Sequence, residues 1–304
     1  MAYQLSSFES PESLFHQCLH YVVDNWEDCL IEKNSWPEKI ELKKETSLPY
    51  QICDPIFELY LRKNVIIEPF LRLFENTENT KLRKIRIVKE HLIQQTKNIF
   101  PLLHHNLTEL HYFSENMLSD SELSTFLELV NKNGENLKAF SCNEKIFASV
   151  IPTNRKDHYD FEDWEYVINA PDLEELTVSH FFQICTPVFF HKLITPLKKL
   201  KHLRIISVPS EQEFLFLCEL PNLTSLTIHN IHVSDNGFST IRTLSQLKHL
   251  DISVIGPYTY GDYPLSNLIL ASLIESLPNL VSLDISGTNL GNIKFFFHYN
   301  LSID

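Results

Sequence analysis

The chain has 304 residues, 43% of them hydrophobic and 21% charged, and a formal net charge of −13. That composition supports one extended domain or two compact ones and excludes a disordered chain. The acidic balance repels phosphate backbones, so nucleic acid is not expected as a main partner.

The start, Met1 to Ser6, shows no basic region followed by an apolar core, and no apolar run reaches bilayer length. An intracellular protein, cytoplasmic or nuclear and without membrane contact, is therefore expected. Cys18, Cys29, Cys53, Cys142, Cys185 and Cys218 lie far apart with no CxxC pair. No zinc ribbon, redox motif or disulfide framework follows, and all but Cys18 read as small buried side chains. Three sequons, at Asn106, Asn222 and Asn300, read as coincidence without a secretory signal.

In chain order, Ser10-Pro11-Glu12 predicts a helix start, with serine at the cap and proline in the first turn. Leu14, Cys18 and Val22 follow at spacing four, which keeps them on one slowly drifting face, and Leu19 and Val23 widen it. Such a helix suits insertion into a partner's apolar groove, where a side chain larger than cysteine would hold it away. The same stripe could equally pack on the chain's own first repeat. His16 and His20 lie one turn apart, but Gln17 stands where a zinc protease carries glutamate, so they read as the exposed flank of this helix. A second pattern is Leu48-Pro49-x-x-Ile52-x-x-x-Ile56, with proline at a predicted helix start. Proline and cysteine are both infrequent, so the two patterns in order are not readily accidental.

From about residue 80 the phrase Leu-x-x-Leu-x-Leu recurs, with other apolar residues allowed. Its copies are Leu82-Ile85-Ile87, Leu107-Leu110-Tyr112, Leu137-Phe140-Cys142 and Leu173-Leu176-Val178, then Leu200-Leu203-Ile205, Leu223-Leu226-Ile228, Leu247-Leu250-Ile252 and Leu280-Leu283-Ile285. The last continues through Thr288 to Leu290. The spacing, roughly 23 to 36 residues, is centred on leucine-rich repeats. Each alternating stretch is a short strand with one buried face, and one strand alone cannot bury it.

Between copies the period turns helical. Ser119-x-x-Glu122 reads as a capping box, with Leu123, Phe126, Leu127 and Val130 on one stripe and Gly134 as a helix stop. Phe238, Ile241 and Leu244 form a shorter stripe, and Ala271 with Ile274 marks another before Pro278. His104-His105 reads as a solvated loop. The longest gap holds the acidic, aromatic stretch Asp157 to Tyr166, either a surface insertion or a partner-binding loop. The predicted concave strand positions are Glu175, Thr177, His202, Arg204, Ser225, Thr227, His229, His249, Asp251, Ser282 and Asp284. Their polarity suits either a protein-binding face or a plainly solvated one.

Two stretches now carry a resemblance. Leu14-x3-Cys18-x3-Val22 resembles an elongin C-binding box. Leu48-Pro49-x-x-Ile52-x-x-x-Ile56 resembles a cullin-two box; Gln51 and Ile52 do not supply the second proline expected of a cullin-five box. With Pro11-Glu-Ser-Leu14, Cys53-Asp54, Ser234-Asp235, Leu247-Lys-His-Leu-Asp-Ile-Ser253 and Leu280-Val-Ser-Leu-Asp-Ile-Ser-Gly287, residues from about 10 to 290 resemble the Zyg-eleven and Zer-one family. The resemblance implies a non-catalytic substrate receptor of a cullin-two RING ubiquitin ligase. Leu14, Cys18 and Val22 would contact elongin C, itself joined to elongin B. Leu48, Pro49, Ile52 and Ile56 would contact cullin-two, and an unidentified protein substrate would be held for ubiquitin transfer. The family continues into armadillo-like helices that read small N-terminal residues. No such region occurs up to Asp304, and if the chain is complete as given, that recognition is not expected to carry over.

No Walker loop, GxGxxG or GxSxG occurs, and the histidines form no metal-ligand pattern with cysteines or carboxylates. No enzyme activity, cofactor or metal is expected. The rival reading is a leucine-rich-repeat interaction scaffold unrelated to ubiquitin; a second is an F-box-type receptor, since an F-box also opens on Leu-Pro, although Cys18 favours elongin C. The expected architecture is an α/β leucine-rich-repeat solenoid, a curved parallel sheet with helices outside. A helical box segment (1–78) precedes the repeats (79–292), and a tail (293–304) follows.

Overall fold

Helix α1 (Leu14–Asp24) opens the described chain. The computed structural model describes residues 13–32, 42–43, 46–63, 68–88, 102, 104–114, 116, 118–143, 169–179, 194–206, 211–229, 235–253 and 267–286. Ser10, Pro11, the 157–166 stretch, Cys185, Gly287 to Leu290 and the 293–304 tail lie outside them. The helix cap is Ser13, three residues later than the sequence suggested, and its hydroxyl accepts from the His16 N–H at 3.3 Å. Such a cap satisfies one of the orphan donors of the first turn.

Two compact units divide the chain, Met1–Arg86 with Glu90–Leu107, and Ile87–Lys89 with Thr108–Asp304. In the first, α1 is followed by α2 (Trp26–Leu30), α3 (Tyr50–Lys63) and α4 (Glu68–Arg72). Helix α1 packs on α3, with Leu19 and Val23 buried on one side and Cys53, Ile56, Phe57 and Tyr60 on the other. Aromatic rings fill the core. Phe70 stacks on Tyr60 at 3.6 Å and meets Trp26 edge-on at 5.6 Å, while Phe74 meets Phe57 edge-on at 5.3 Å. Edge-on pairs such as the last two add about 0.5–1.5 kcal/mol each beyond the area they bury.

All eight leucine phrases become strands: β1 (Lys84–Val88), β2 (Glu109–Phe113), β3 (Ala139–Asn143), β4 (Glu175–Ser179), β5 (His202–Ile206), β6 (Ser225–His229), β7 (His249–Asp251) and β8 (Ser282–Asp284). They form one sheet in chain order, parallel from β2 to β8. The register is unbroken. Leu110, Phe140, Leu176, Leu203, Leu226, Leu250 and Leu283 stand in one buried row, and Tyr112, Cys142, Val178, Ile205 and Ile228 in the next. A one-residue slip would turn each row to solvent, so the phrase itself enforces the register. The protein is thus an α/β leucine-rich-repeat solenoid.

One backbone device repeats at the strand entries. The carbonyl of the residue before each of β2 to β7 accepts two N–H groups from the next repeat: Thr108 from Lys138 and Ala139, Lys138 from Glu174 and Glu175, Glu174 from Lys201 and His202. Lys201, Thr224 and Lys248 continue the series. Both lone pairs of each carbonyl are used, which answers the demand that buried backbone groups be paired. Asn222 and Asn279 act similarly at the preceding turns, donating to the carbonyls of Lys198 and Ser245 at 2.8 and 2.9 Å.

Helix α5 (Asp120–Asn133) carries the expected capping box. The Glu122 carboxylate accepts from the Ser119 backbone N–H at 2.8 Å and from its hydroxyl at 2.7 Å. Gly134 does close this helix, but in right-handed helical geometry. Its requirement is space, because a Cβ there would run into the Asn169 carbonyl. A 3-10 helix over Glu211–Glu219, which the spacing did not predict, buries Phe214, Phe216 and Leu217. Helix α6 (Asp235–Ile241) buries Phe238 and Ile241, as expected. Helix α7 (Asn267–Ser276) differs in phase: Leu270 and Leu273 are buried, whereas Ala271 is exposed and Ile274 only half-buried. The leucine pair one position earlier wins the core-facing stripe because Leu270 offers more apolar area to bury than Ala271.

Candidate functional site

At about 100° per residue, Leu14, Cys18 and Val22 fall within one arc of α1, flanked by Phe15 and Tyr21. Leu19 and Val23 continue the arc onto α3. The fold covers only that continuation. Leu14 is 76% exposed, Tyr21 66% and Phe15 53%; Cys18 is exposed and Val22 half-buried. Among the described residues five large hydrophobics are markedly exposed, and three of them sit on this single helix. Scattered exposed apolar residues are ordinary, but a concentration on one face marks an interaction surface. Spacing alone did not single out Phe15 and Tyr21. His16 and His20 lie beside this face as a tilted pair, ring centres 5.9 Å apart.

The second motif is more structural than exposed. Leu48 forms a parallel bridge to Thr80; its N–H donates to the Asn79 carbonyl at 2.6 Å, and its own carbonyl accepts from Lys81 at 3.1 Å. The Arg83 guanidinium lies 3.7 Å over the Tyr50 ring. Asp54 accepts from the Arg83 and Lys84 N–H groups at 2.9 and 3.2 Å. Cys53 is fully buried and donates to the Leu48 carbonyl; burial, partly offset by the Lys81 backbone hydrogen bond, pushes its thiol up to about 12. Pro49 is exposed and Ile52 half-buried, but Ile56 is only 2% exposed and belongs to the aromatic core. Segment 48–54 therefore ties α3 to residues 79–84 of the same unit.

Two further sequence expectations change. His105 is not solvated: it is 3% exposed, its Nδ1 accepts from the Leu82 N–H at 3.1 Å, and its Nε2 lies 2.7 Å from the Phe74 carbonyl. Only the neutral ring with hydrogen on Nε2 satisfies both partners. Burial accordingly lowers its pKa, with His104 adding to the fall and the Phe74 carbonyl opposing it. Cys218, expected to be buried, is exposed, as is Cys18, while Cys142 is buried and Cys29 partly so.

The polar face of the sheet is built by the same register. Glu175, His202, Ser225, His249 and Ser282 form one row, and Thr177, Arg204, Thr227, Asp251 and Asp284 the next. The repeated Leu-Asp-Ile-Ser phrase has a local cause here. Each aspartate accepts the N–H of the serine two residues on, Asp251 from Ser253 at 3.0 Å and Asp284 from Ser286 at 2.8 Å, which closes the strand end. His229 is not on an open polar surface: it is 2% exposed, and its Nε2 lies 2.7 Å from Asp251 Oδ2. Burial pushes the Asp251 carboxyl up, but the hydrogen bonds from His229 and Ser253 outweigh it and hold the group below the usual carboxylate range.

Among the described residues no group of three or more His, Cys, Asp or Glu could hold a metal ion, and no helix is long and apolar enough to cross a membrane.

A family model described as Zer-1-like leucine-rich repeats matches residues 191–296. The chain is 26% identical over 300 residues to the human protein zer-1 homolog, covering 92% of this chain and 37% of that protein. The Drosophila melanogaster homolog is 29% identical over 248 residues, covering 80% of this chain and 29% of its own length; the mouse homolog is 25% identical over 313 residues, covering 92% and 38%. The chain thus spans well under half the length of these curated relatives. A solved TLR13–ssRNA13 complex aligns at a TM-score of 0.34 with 16% identity, over 74% of this chain and 31% of its own, too distant a likeness to bear on function. Repeat sequence and similarity along most of the chain agree: this is a leucine-rich-repeat protein similar to the zer-1 homologs.

Proposed function

We propose that the chain is a non-catalytic adaptor or substrate-recognition subunit of a cullin-two RING ubiquitin ligase, docking to elongin C through α1. The carrying observation is the apolar face of that helix, with Leu14, Phe15 and Tyr21 exposed beside Cys18. Leaving about 1.5–3 kcal/mol of burial unused at each large side chain is costly for a chain alone and favourable for one that meets an apolar groove. Elongin C, with elongin B, is the occupant that the Leu14-Cys18-Val22 spacing suits. In this reading the receptor performs no chemistry and acts by holding a protein substrate near the transfer site. Cullin-two contact is proposed through Leu48, Pro49 and Ile52, which are exposed or half-buried, with the buried Ile56 setting their geometry from within.

One observation favours the alternative, a repeat scaffold unrelated to ubiquitin. Leu48, Cys53, Asp54 and Ile56 all have internal structural roles, so the second motif does not need a cullin to explain it. Co-purification of the whole chain with elongin B–elongin C, wild type beside Leu14→Asp, separates the two readings, with cullin-two added in a second step. A stable complex lost in the variant supports the ligase reading. A folded wild-type chain that captures neither protein leaves the scaffold.

A further inference from the structure

The last strands of the sheet carry a second candidate surface that owes nothing to α1. On the polar face of β6, β7 and β8 lies an open hollow of about 210 Å³, and Thr227, His249, Asp251, Ser282 and Asp284 are among its lining residues. The register sets Asp251 directly opposite Asp284, about one strand spacing of 4.8 Å away. Like charges placed directly across a sheet repel each other, and the hollow has no lysine or arginine in its lining to relieve them. Among the described residues neither aspartate pairs with a lysine or arginine; their neighbours are the serine N–H groups at Oδ1 and, for Asp251, His229 at Oδ2.

His229 lies outside the lining of the hollow and orients Asp251 through its Nε2 contact to Oδ2. It is almost wholly buried behind Asp251, and its Nδ1 has no hydrogen-bond partner among the described residues. The lining also offers peptide-like partners: the Ser225 and Thr227 hydroxyls, and His249 bonded to Ser282 at 2.8 Å. These can accept or donate to a main chain while the two carboxylates take a cation.

We propose that this hollow binds an extended basic segment of a partner protein, with one lysine or arginine side chain seated between Asp251 and Asp284. Charge complementarity decides the class of occupant. The titratable groups of the lining are two carboxylates and one imidazole, on a chain of net charge −13, and a cation fork or ammonium satisfies both carboxylates at once.

The test uses the full chain and a fluorescein-labelled decapeptide, Gly/Ser-flanked around a central Arg-Lys-Arg, beside a counterpart with Glu-Ser-Glu in its place. Fluorescence anisotropy is read at 50 and 300 mM salt. The basic peptide is expected to bind and the acidic one not. Asp284→Asn keeps the acceptor for Ser286 and should weaken binding about tenfold, as loss of a charge-assisted contact would. Glu175→Gln removes an acidic group of the same face outside the hollow and should leave affinity unchanged. Thermal unfolding of each variant confirms folding, so Asp284→Asn remains informative even if Asp251→Asn, which breaks the His229 contact, does not fold. Equal weakening by Asp284→Asn and Glu175→Gln would reduce the effect to diffuse attraction and overturn the proposal. So would an undiminished Asp284→Asn, no binding by the wild type, or displacement by spermidine at matched charge.

Discussion

Replacing His105 with leucine is expected to destabilise the first unit by about 3 kcal/mol, and to remove a defined part of its pH dependence. Leucine conserves most of the volume but strands the Leu82 N–H and the Phe74 carbonyl, both now satisfied by the buried ring. Each unpaired buried group costs about 1–3 kcal/mol, so the two together cost about 2–6 kcal/mol with a middle near 4, and leucine's better burial brings this down to about 3. The wild-type ring also resists protonation, because a hydrogen on Nδ1 would face the Leu82 N–H. Its folded pKa is therefore lowered from 6.5, and below pH 6.5 the unfolded chain takes up a proton that the folded ring refuses. That contribution is complete above pH 6.5. It is lost as pH falls below it, by about 1.4 kcal/mol per pH unit until the folded pKa is reached. Urea unfolding followed by circular dichroism and tryptophan fluorescence, at pH 7.5 and 5.5, measures both effects. The chain has 14 histidines, so the informative quantity is the difference in pH response between wild type and His105→Leu. A variant within 0.5 kcal/mol of wild type, or one with an identical response to acid, would refute the assignment of the ring as a neutral buried bridge.

Further outcomes follow from burial. Leu14→Asp should shift stability by less than about 0.5 kcal/mol, since the side chain is mostly in solvent, while abolishing capture of elongin C; a large loss of stability would instead mean that the helix face packs internally. Ile56→Ala should cost about 2–5 kcal/mol by leaving a cavity in the aromatic core, against little for Pro49→Ala, and equal effects in denaturant titrations would contradict the placement of α3. Gly134→Ala forces a methyl group onto the Asn169 carbonyl and should lower stability by about 1–3 kcal/mol; a neutral or stabilising result in thermal unfolding would show that this approach is not tight. A thiol reagent applied to the native protein at pH 8 should modify Cys18 and Cys218 well before Cys53 and Cys142, because the latter two are buried and burial keeps their thiols protonated. Peptide mapping with early labelling of Cys53 would contradict the tie between α3 and Leu48.

Much of the repeat region was legible because its signals are local. Alternation of apolar residues at period two states both that a strand forms and which face is buried. Every Leu-x-x-Leu-x-Leu phrase accordingly became a strand, in one register from β2 to β8. The capping box at Ser119 was equally plain, since its partners are three residues apart. Spacing four on α1 put Leu14, Cys18 and Val22 on one arc, but an arc broader than a single contact has two halves. Only the packing of Leu19 and Val23 against α3 decided which half remains open, and so brought Phe15 and Tyr21 to the surface.

The remaining decisions are long-range and carry no periodic signature. Whether a polar residue is solvated depends on what lies opposite it: His105 meets Phe74 and Leu82 from 31 and 23 residues away, and His229 meets Asp251 across a strand pair. Gly134 needs its missing side chain because of Asn169, not because of its own dihedral angles. The phase of α7 followed from competition between overlapping apolar sets, Leu270 and Leu273 against Ala271 and Ile274, which side-chain volume settles only once a core exists to fill. Amino-acid order by itself determined the repeating strand, its buried face and the caps, because each is written within a few residues. Tertiary structure decided which apolar side chains stay uncovered and which polar ones are enclosed, because exposure is a property of neighbours that the chain brings together only on folding.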